Sequence, residues 1–313
     1  MTQKIEDILF LFDSKWHKLF AFLLLPFSFL YCAVGALNKL FSTPKDFGIP
    51  IISIGNLTVG GSGKTPFAIE LCKRFEKPCV VTRGYGRNSK GLFVVSRFGR
   101  VEQGVDISGD EAALIARQAL NASVIVSEDR KKGIEEAKKL GCDVVILDDG
   151  FGKFAIKKVD ILLFGAKSPK NRFCFPSGPF RFPPFFAKFA DLHVYEGDDF
   201  TRIVEAPIHK EYALITAISN PKRLDAYLGD NVVGKYYFFD HYYFTKQDID
   251  KIVAAHPNAV LLCTQKDGVK LRELGVCFDE ISLAIHIKNS FYDSLRAKLA
   301  SKFGFYGMKN QAS

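Results

Sequence analysis

The stretch PIISIGNLTVGGSGKT, residues 50–65, decides the fold. Three β-branched apolar residues (Ile51, Ile52, Ile54) end at Gly55 and lead through a glycine-rich turn to Lys64-Thr65. That order predicts a buried parallel strand, a phosphate-binding loop and then a helix. Gly60, Gly61 and Gly63 have no Cβ, so the backbone running from Thr58 and Val59 through Ser62 can curl round an anion and aim its N–H groups inward. Lys64 is expected to set an ammonium against β- and γ-phosphates, and the Thr65 hydroxyl to ligate Mg²⁺. The helix adds its positive end, and Pro66 suits a first turn that needs no N–H donor. Thr58 stands where the pattern G-x-x-x-x-G-K-[ST] begins with glycine, so the motif is a variant in which Gly60-Gly61 takes the tight turn. The plainer alternative is an ordinary glycine-rich strand-to-helix turn.

Outward from this loop the chain alternates apolar strands with helical patterns. A strand at 79–82 runs into Arg83-Gly84-Tyr85-Gly86-Arg87, at the carboxyl edge where open α/β sheets bind ligands. Its cations either meet phosphate or belong to a solvated loop. Gly109-Asp110-Glu111 opens the next helix; taken alone, Asp110 is a helix-dipole partner. The strand at 123–127 precedes Glu128-Asp129-Arg130, where Arg130 offers a guanidinium to phosphate. The strand at 143–147 ends in Asp148-Asp149-Gly150, the shape of a Walker B element that holds Mg²⁺, with a simple turn as the alternative. Further strands fall at 159–164 and 191–195. Residues 46–200 are therefore predicted to form an α/β, P-loop NTPase-like core: a mostly parallel sheet with flanking helices.

Within that core, residues 172–186 mix phenylalanine and proline without periodicity. This predicts an irregular loop that either exposes its rings to an apolar ligand or membrane, or folds onto its own core. A polar linker is expected near 197–209, then a smaller α/β domain over 201–313 with strands at 214–218, 232–239 and 259–263. This second unit carries Phe239-Asp240-His241 and Thr264-Gln265-Lys266-Asp267. In a GTPase the base-reading order [NT]-K-x-D places Lys one position earlier, which argues against a G protein.

Residues 19–37 contain no charge, and a helix of that length reaches about 28 Å, close to a bilayer's hydrocarbon thickness. Glu6 and Asp7 spoil a secretory leader, and Pro26 interrupts a straight span. A transmembrane helix, a bent helix in the membrane interface and a buried core helix stay open, with membrane contact favoured for residues 1–45. The net charge of +9 fits an anionic partner, either a nucleotide or an acidic lipid; no RNA-binding motif accompanies the basic residues, so no nucleic acid is expected. Seven cysteines, none as C-x-x-C and none beside clustered histidines, argue against zinc and for thiols in a reducing compartment.

With these pieces in order, the chain resembles the tetraacyldisaccharide 4′-kinase family. The matching residues are GNLTVGGSGKTP (55–66), TRGYGR (82–87), GDE (109–111), SEDR (127–130), ILDDGF (146–151), PSGPFR (176–181), FDH (239–241) and TQKD (264–267). The resemblance implies a P-loop core with an appended domain, Mg²⁺-ATP as donor and an acylated glucosamine disaccharide 1-phosphate as acceptor. It also implies an N-terminal helix seated on the cytoplasmic face of the inner membrane. By the same resemblance Asp110 and His241 form a catalytic dyad, Lys64 is catalytic, Arg130 binds phosphate, and Asp148 and Asp149 join Thr65 at the metal. Gly152-Lys153 stand where the family continues Gln-His, so those two side-chain contributions differ here. The rival reading is a membrane-associated nucleotide switch or transport ATPase, which would hydrolyse ATP without an acceptor; a lipid-binding module is a third.

Overall fold

The computed structural model describes residues 12–166 and 168–310; Glu6 and Asp7 lie outside the described residues. Two sheets carry the fold. The first has eight strands: β1 (Ile51–Gly55), β2 (Pro78–Thr82), β3 (Phe93–Arg97), β4 (Arg100–Val101), β5 (Ser123–Val126), β6 (Val144–Asp148), β7 (Val159–Phe164) and β8 (Leu192–Tyr195). Their order is β4-β3-β5-β2-β6-β1-β7-β8. Every pairing is parallel except β3 with β5 and β3 with β4. The strands β1, β2, β5 and β6 are buried on both faces, as a parallel sheet sandwiched by helices demands. The β3–β4 hairpin was not anticipated: its Phe93 to Arg97 run is too short to separate from loop by pattern alone.

The helices follow from local chemistry. Lys15–Leu23 (α1) and Leu25–Phe41 (α2) cover the charge-free stretch 19–37; they meet at a 54° bend, with Pro26 at the start of the second, as in the bent-helix alternative. Among the described residues no single helix is long and apolar enough to cross a membrane, although the bent pair meets the length and composition test together. Ala21 and Ser28 are its buried residues, so the pair is not a core element. Helices α3 (Lys64–Cys72), α4 (Val105–Ser108), α5 (Asp110–Gln118) and α6 (Arg130–Lys139) complete the first layer. Asp129 caps α6 by accepting from the Lys131 N–H.

The second sheet is ordered β11-β10-β12-β13-β9. It comprises β9 (Phe200–Glu205), β10 (Tyr212–Thr216), β11 (Val232–Tyr237), β12 (Val260–Thr264) and β13 (Phe278–Ile287), with helices α7 (Lys246–Ala255), α8 (Gln265–Glu273) and α9 (Asn289–Phe303). The segment expected as a polar linker contains β9, which pairs antiparallel with the unanticipated β13. Thr201 and Glu205 face outward with exposed Ile203 between them, and these two polar residues give the strand its polar look. The unit from 201 to 313 is not packed by itself. Phe291, Leu295 and Leu299 of α9 join the core of the first sheet, and Phe67 of α3 meets Phe200 and Phe291 edge-on at centroid distances of 5.7 and 5.4 Å. Val269 of α8 packs with Val105 and Ala113, so the two sheets share an apolar seam beside the site described next.

The phenylalanine-rich segment is partly folded onto its own core and partly exposed. Phe180 and Phe186 are buried with Leu57, Phe151, Phe154 and Leu162, while Phe175 and Phe185 stay exposed. Gly152 belongs to this packing: a Cβ there would lie 2.9 Å from the Phe182 ring.

Candidate active site

The parallel register sets Ile54 beside Asp148, so the loop leaving β1 and the carboxylate ending β6 emerge at the same edge. Gly60 and Gly63 take positive φ values of 102° and 83°, which is where the loop turns; Thr58 does not, so threonine is tolerated there. Thr58 instead forms a backbone bridge with Phe180, and the Val59 N–H donates to the Pro179 carbonyl at 2.8 Å. The Val59 N–H, expected to help cradle an anion, here binds the loop to the phenylalanine-rich segment. The loop continues through Gly60, Gly61 and Gly63 to the start of α3, with the Ser62 N–H donating to the Gly60 carbonyl at 3.1 Å.

Lys64 Nζ folds back over that loop, 2.9 Å from Asn56 Oδ1, 3.4 Å from Ser62 Oγ and 3.5 Å from Asp149 Oδ1. The Thr65 hydroxyl donates to Asp148 Oδ2 at 3.3 Å. Asp148 is buried, and its Oδ1 has no hydrogen-bond partner. Burial, with Glu111 and Asp149 adding negative charge against Lys64 and Arg130, pushes its carboxyl up to about 7. An orphaned, desolvated carboxylate oxygen next to a threonine hydroxyl is the donor set that suits Mg²⁺, which takes few protein ligands and completes its shell with phosphate and water. Thr65 and Asp148 fit that ion.

Asp149 does not share this geometry. Its carboxylate faces cations, with Arg181 Nη1 at 2.6 Å and Lys64 at 3.5 Å. Burial alone would raise its pKa, but Lys64 and Arg181 hold it below the ordinary value. Asp149, expected beside Asp148 at the metal, here braces Lys64 against Arg181. Its φ of 55° is an uncommon conformation for a residue with a Cβ, held because the side chain is anchored on both sides. Arg130 is also buried: Nη1 donates to the Ser127 carbonyl at 2.7 Å and Nη2 to the Asp148 carbonyl at 3.3 Å, leaving Nε unpartnered. It ties the ends of β5 and β6 together behind the carboxylates.

Across the cleft His241 Nδ1 lies 3.0 and 2.9 Å from Asp110 Oδ1 and Oδ2, although 131 residues separate them. Burial pushes the Asp110 carboxyl up, but the His241 hydrogen bond and the nearby Lys266, His241 and Lys270 charges outweigh it and hold the group below its ordinary value. His241 has a φ of 62°, the second non-glycine residue of the site in that region. Gly86, at φ 75°, lets the backbone approach the imidazole: a Cβ there would sit 3.2 Å from the ring. Tyr85 lies against the same ring at 4.9 Å between centroids, so the 83–87 loop flanks the dyad, while Arg87 pairs with Glu128. Glu111, next to Asp110, adds negative charge at Asp148, and α5, which carries both, packs through Ala112 and Ile115 against the core that Phe67 of α3 joins, so dyad and phosphate loop belong to one site.

Several site residues had no predicted role in the sequence. Asn56 and Arg181 hold Lys64 and Asp149, and each lay within a quoted motif. Lys266 and Lys270 approach Asp110 Oδ2 at 3.7 and 3.6 Å. Arg202 and Arg223 reach over the loop from the second unit, where a Cβ on Gly63 or Gly61 would lie 3.3 or 2.8 Å from them; no local pattern marks either.

A parallel sheet with a phosphate loop, a Thr–Asp cation site and an Asp–His pair facing it across the cleft defines a P-loop phosphotransferase. The tetraacyldisaccharide-1-P 4′-kinase (LpxK) family model matches residues 20–213 and 201–303, and the chain belongs to that family. It is 45% identical to the tetraacyldisaccharide 4′-kinase of Aliarcobacter butzleri over 290 residues, covering 88% of this chain and 91% of the relative. Against the Campylobacter jejuni enzyme it is 42% identical over 293 residues, 94% of each chain. A crystal structure of Aquifex aeolicus LpxK in complex with ATP superposes with a TM-score of 0.74 at 29% identity, covering 91% of this chain and all of the other.

Proposed function

We propose that this chain transfers the γ-phosphoryl group of ATP to the 4′-hydroxyl of an acylated glucosamine disaccharide 1-phosphate, the 4′-phosphorylation of lipid A assembly, at the cytoplasmic face of the inner membrane. The observation that carries the reading is the Asp110–His241 pair, 2.9 Å apart, with Glu111 beside it acting on Asp148, the partner of Thr65. Asp110 accepts the proton of the attacking hydroxyl, and the His241 Nδ1–H steadies the carboxylate until it does. Lys64 and the loop amides meet the negative charge that moves on to the β-phosphate side. Arg202, paired with Glu196 at 3.0 Å, and Arg223 bring their guanidinium groups to the loop from the second unit. Thr65 and Asp148 would hold Mg²⁺, which supplies charge neutralisation on the phosphate oxygens.

The bent helix pair supports the membrane part of this reading. Trp16, Phe20, Phe29 and Phe41 stand out from it, at 78, 53, 77 and 78% exposure, far more large apolar surface than an unpartnered helix keeps in water. Ser28 fastens the pair to the phenylalanine-rich segment, accepting from the Ser177 N–H at 2.9 Å. Exposed Phe175 and Phe185 extend the same apolar surface from that segment.

The test is incubation of the purified chain with γ-labelled ATP and the disaccharide 1-phosphate in mixed micelles. Label should appear on the lipid, and ATP consumption should depend on the acceptor. ATP hydrolysis at an equal rate without acceptor would favour the nucleotide-switch reading.

A further inference from the structure

The His241 imidazole has a carboxylate on each side. Asp110 meets Nδ1, and Asp240 Oδ2 lies 3.7 Å from Nε2. One ammonium joins the two carboxylates behind the ring: Lys266 Nζ lies 3.7 Å from Asp110 Oδ2 and 3.5 Å from Asp240 Oδ1, with Glu111 Oε1 at 3.9 Å. Asp110, His241, Asp240 and Lys266 thus form a closed ring across the seam between the two sheets. Lys266 is held there by its helix. One turn further along α8, Lys270 is buried, donates to the Tyr242 carbonyl at 3.0 Å and pairs with Asp267 at 3.2 Å. Asp267 is in turn fixed by the Thr216 and Thr264 hydroxyls at 2.7 and 2.8 Å.

We propose that Lys266 is a positioning residue for the reaction: by clamping Asp110 and Asp240 it fixes both carboxylates about His241 and aims the base at the acceptor hydroxyl. The inference rests on the reading of Asp110 as the base. Its geometry is that of a latch, since Lys266 belongs to the second unit while Asp110 and Glu111 belong to the first. A second consequence concerns protonation. The groups facing Asp110 are Glu111 on its own helix, Tyr85 beside the imidazole, and His241, Asp240, Tyr243, Lys266, Lys270 and Asp267 from the second unit. Of the cations, Lys270 already shares its charge with Asp267, whereas Lys266 is spread over three carboxylates that all border the cleft. Removing the Lys266 charge therefore leaves mutual repulsion among Asp110, Glu111 and Asp240 and makes Asp110 easier to protonate.

The experiment compares native, Lys266→Met and Lys266→Arg full-length enzyme for kcat and for KM of ATP across about pH 5 to 8.5, with Tm measured alongside. Lys266→Met is expected to lower kcat about 10- to 100-fold, with KM for ATP within about twofold, and to start the acid-side fall in rate about one pH unit higher. Lys266→Arg is expected to restore the native acid limb. Lys266→Gln carries the same expectations as Lys266→Met if the latter does not fold. A Lys266 variant with lowered Tm but native kcat and native acid limb overturns the proposal and leaves a structural ion pair. Asp110→Ala separates the two ideas: native turnover in that variant removes the base itself, whereas lost turnover beside a normal Lys266→Met removes only the latch.

Discussion

The Thr65 hydroxyl donates to one oxygen of Asp148 while the other oxygen is buried without a partner. This relationship makes the metal-free protein sensitive to pH in an unusual direction. The folded-state value of about 7 lies above the ordinary aspartate value of 3.8, so the folded chain holds an extra proton between them. Stability is therefore lost as pH rises through that window, by an amount of up to roughly 4 kcal/mol. Asp148→Asn should raise the Tm of the metal-free protein at about pH 8 while abolishing Mg²⁺-dependent turnover, and it should leave Tm nearly unchanged at about pH 4. A lower Tm at about pH 8 would contradict this account. Because the proton must leave when a cation binds, Mg²⁺ affinity should also strengthen as pH rises toward the value at which Asp148 ionises.

The dyad makes a different prediction. Asp110→Ala and His241→Ala should each lower kcat, the first by about 10²–10⁴-fold, because a base and its partner act in the transition state. Affinity for a non-hydrolysable ATP analogue, read by calorimetry, should change little, since neither residue touches the phosphate loop. The double variant should be scarcely worse than Asp110→Ala alone, because the two side chains act as one unit.

At position 152 the prediction concerns packing rather than chemistry. Gly152→Gln, which restores the residue typical of the family, would bring a Cβ to 2.9 Å from Phe182, in a cluster with Phe151, Phe154 and Phe186. Overpacking of this kind costs about 1–3 kcal/mol, to be read from urea unfolding. The cost should fall when Phe182→Leu is added.

The helix pair can be tested by vesicle flotation. Phe20→Glu with Phe29→Glu places two charges on its exposed apolar surface, at positions 53 and 77% exposed, and should reduce binding to anionic vesicles at least tenfold. Far-UV circular dichroism should be unchanged. Unaltered flotation would remove the helix pair as the membrane contact.

Much of this architecture is legible without coordinates because its signals are short-range. An apolar strand, a glycine turn and Lys64-Thr65 stand within a few residues of one another, and steric freedom at Gly60 and Gly63 is a local property. The same holds for the strand that ends in Asp148. The motif order alone points to Asp110 and His241, but it does so through resemblance, since the helix-start position of Asp110 has an adequate local explanation.

What local pattern leaves open is which groups face one another once the sheets dock. Asp149 follows Asp148 in the chain, and with its positive φ it pairs with Lys64 and Arg181, partners that no local pattern names. Val59 belongs to the loop, yet its amide is taken by Pro179, a partner 120 residues away. β9 carries a polar outer face and passes for a linker until β13 pairs with it. Lys266 becomes part of the site because Val269, one turn along the same helix, packs against Val105 and Ala113. Backbone propensity and side-chain volume act within a few residues, so the string of amino acids specifies strands, turns and the phosphate loop; charge pairing acts through space, so only the docked fold decides which carboxylate meets a cation and which keeps an unpartnered oxygen.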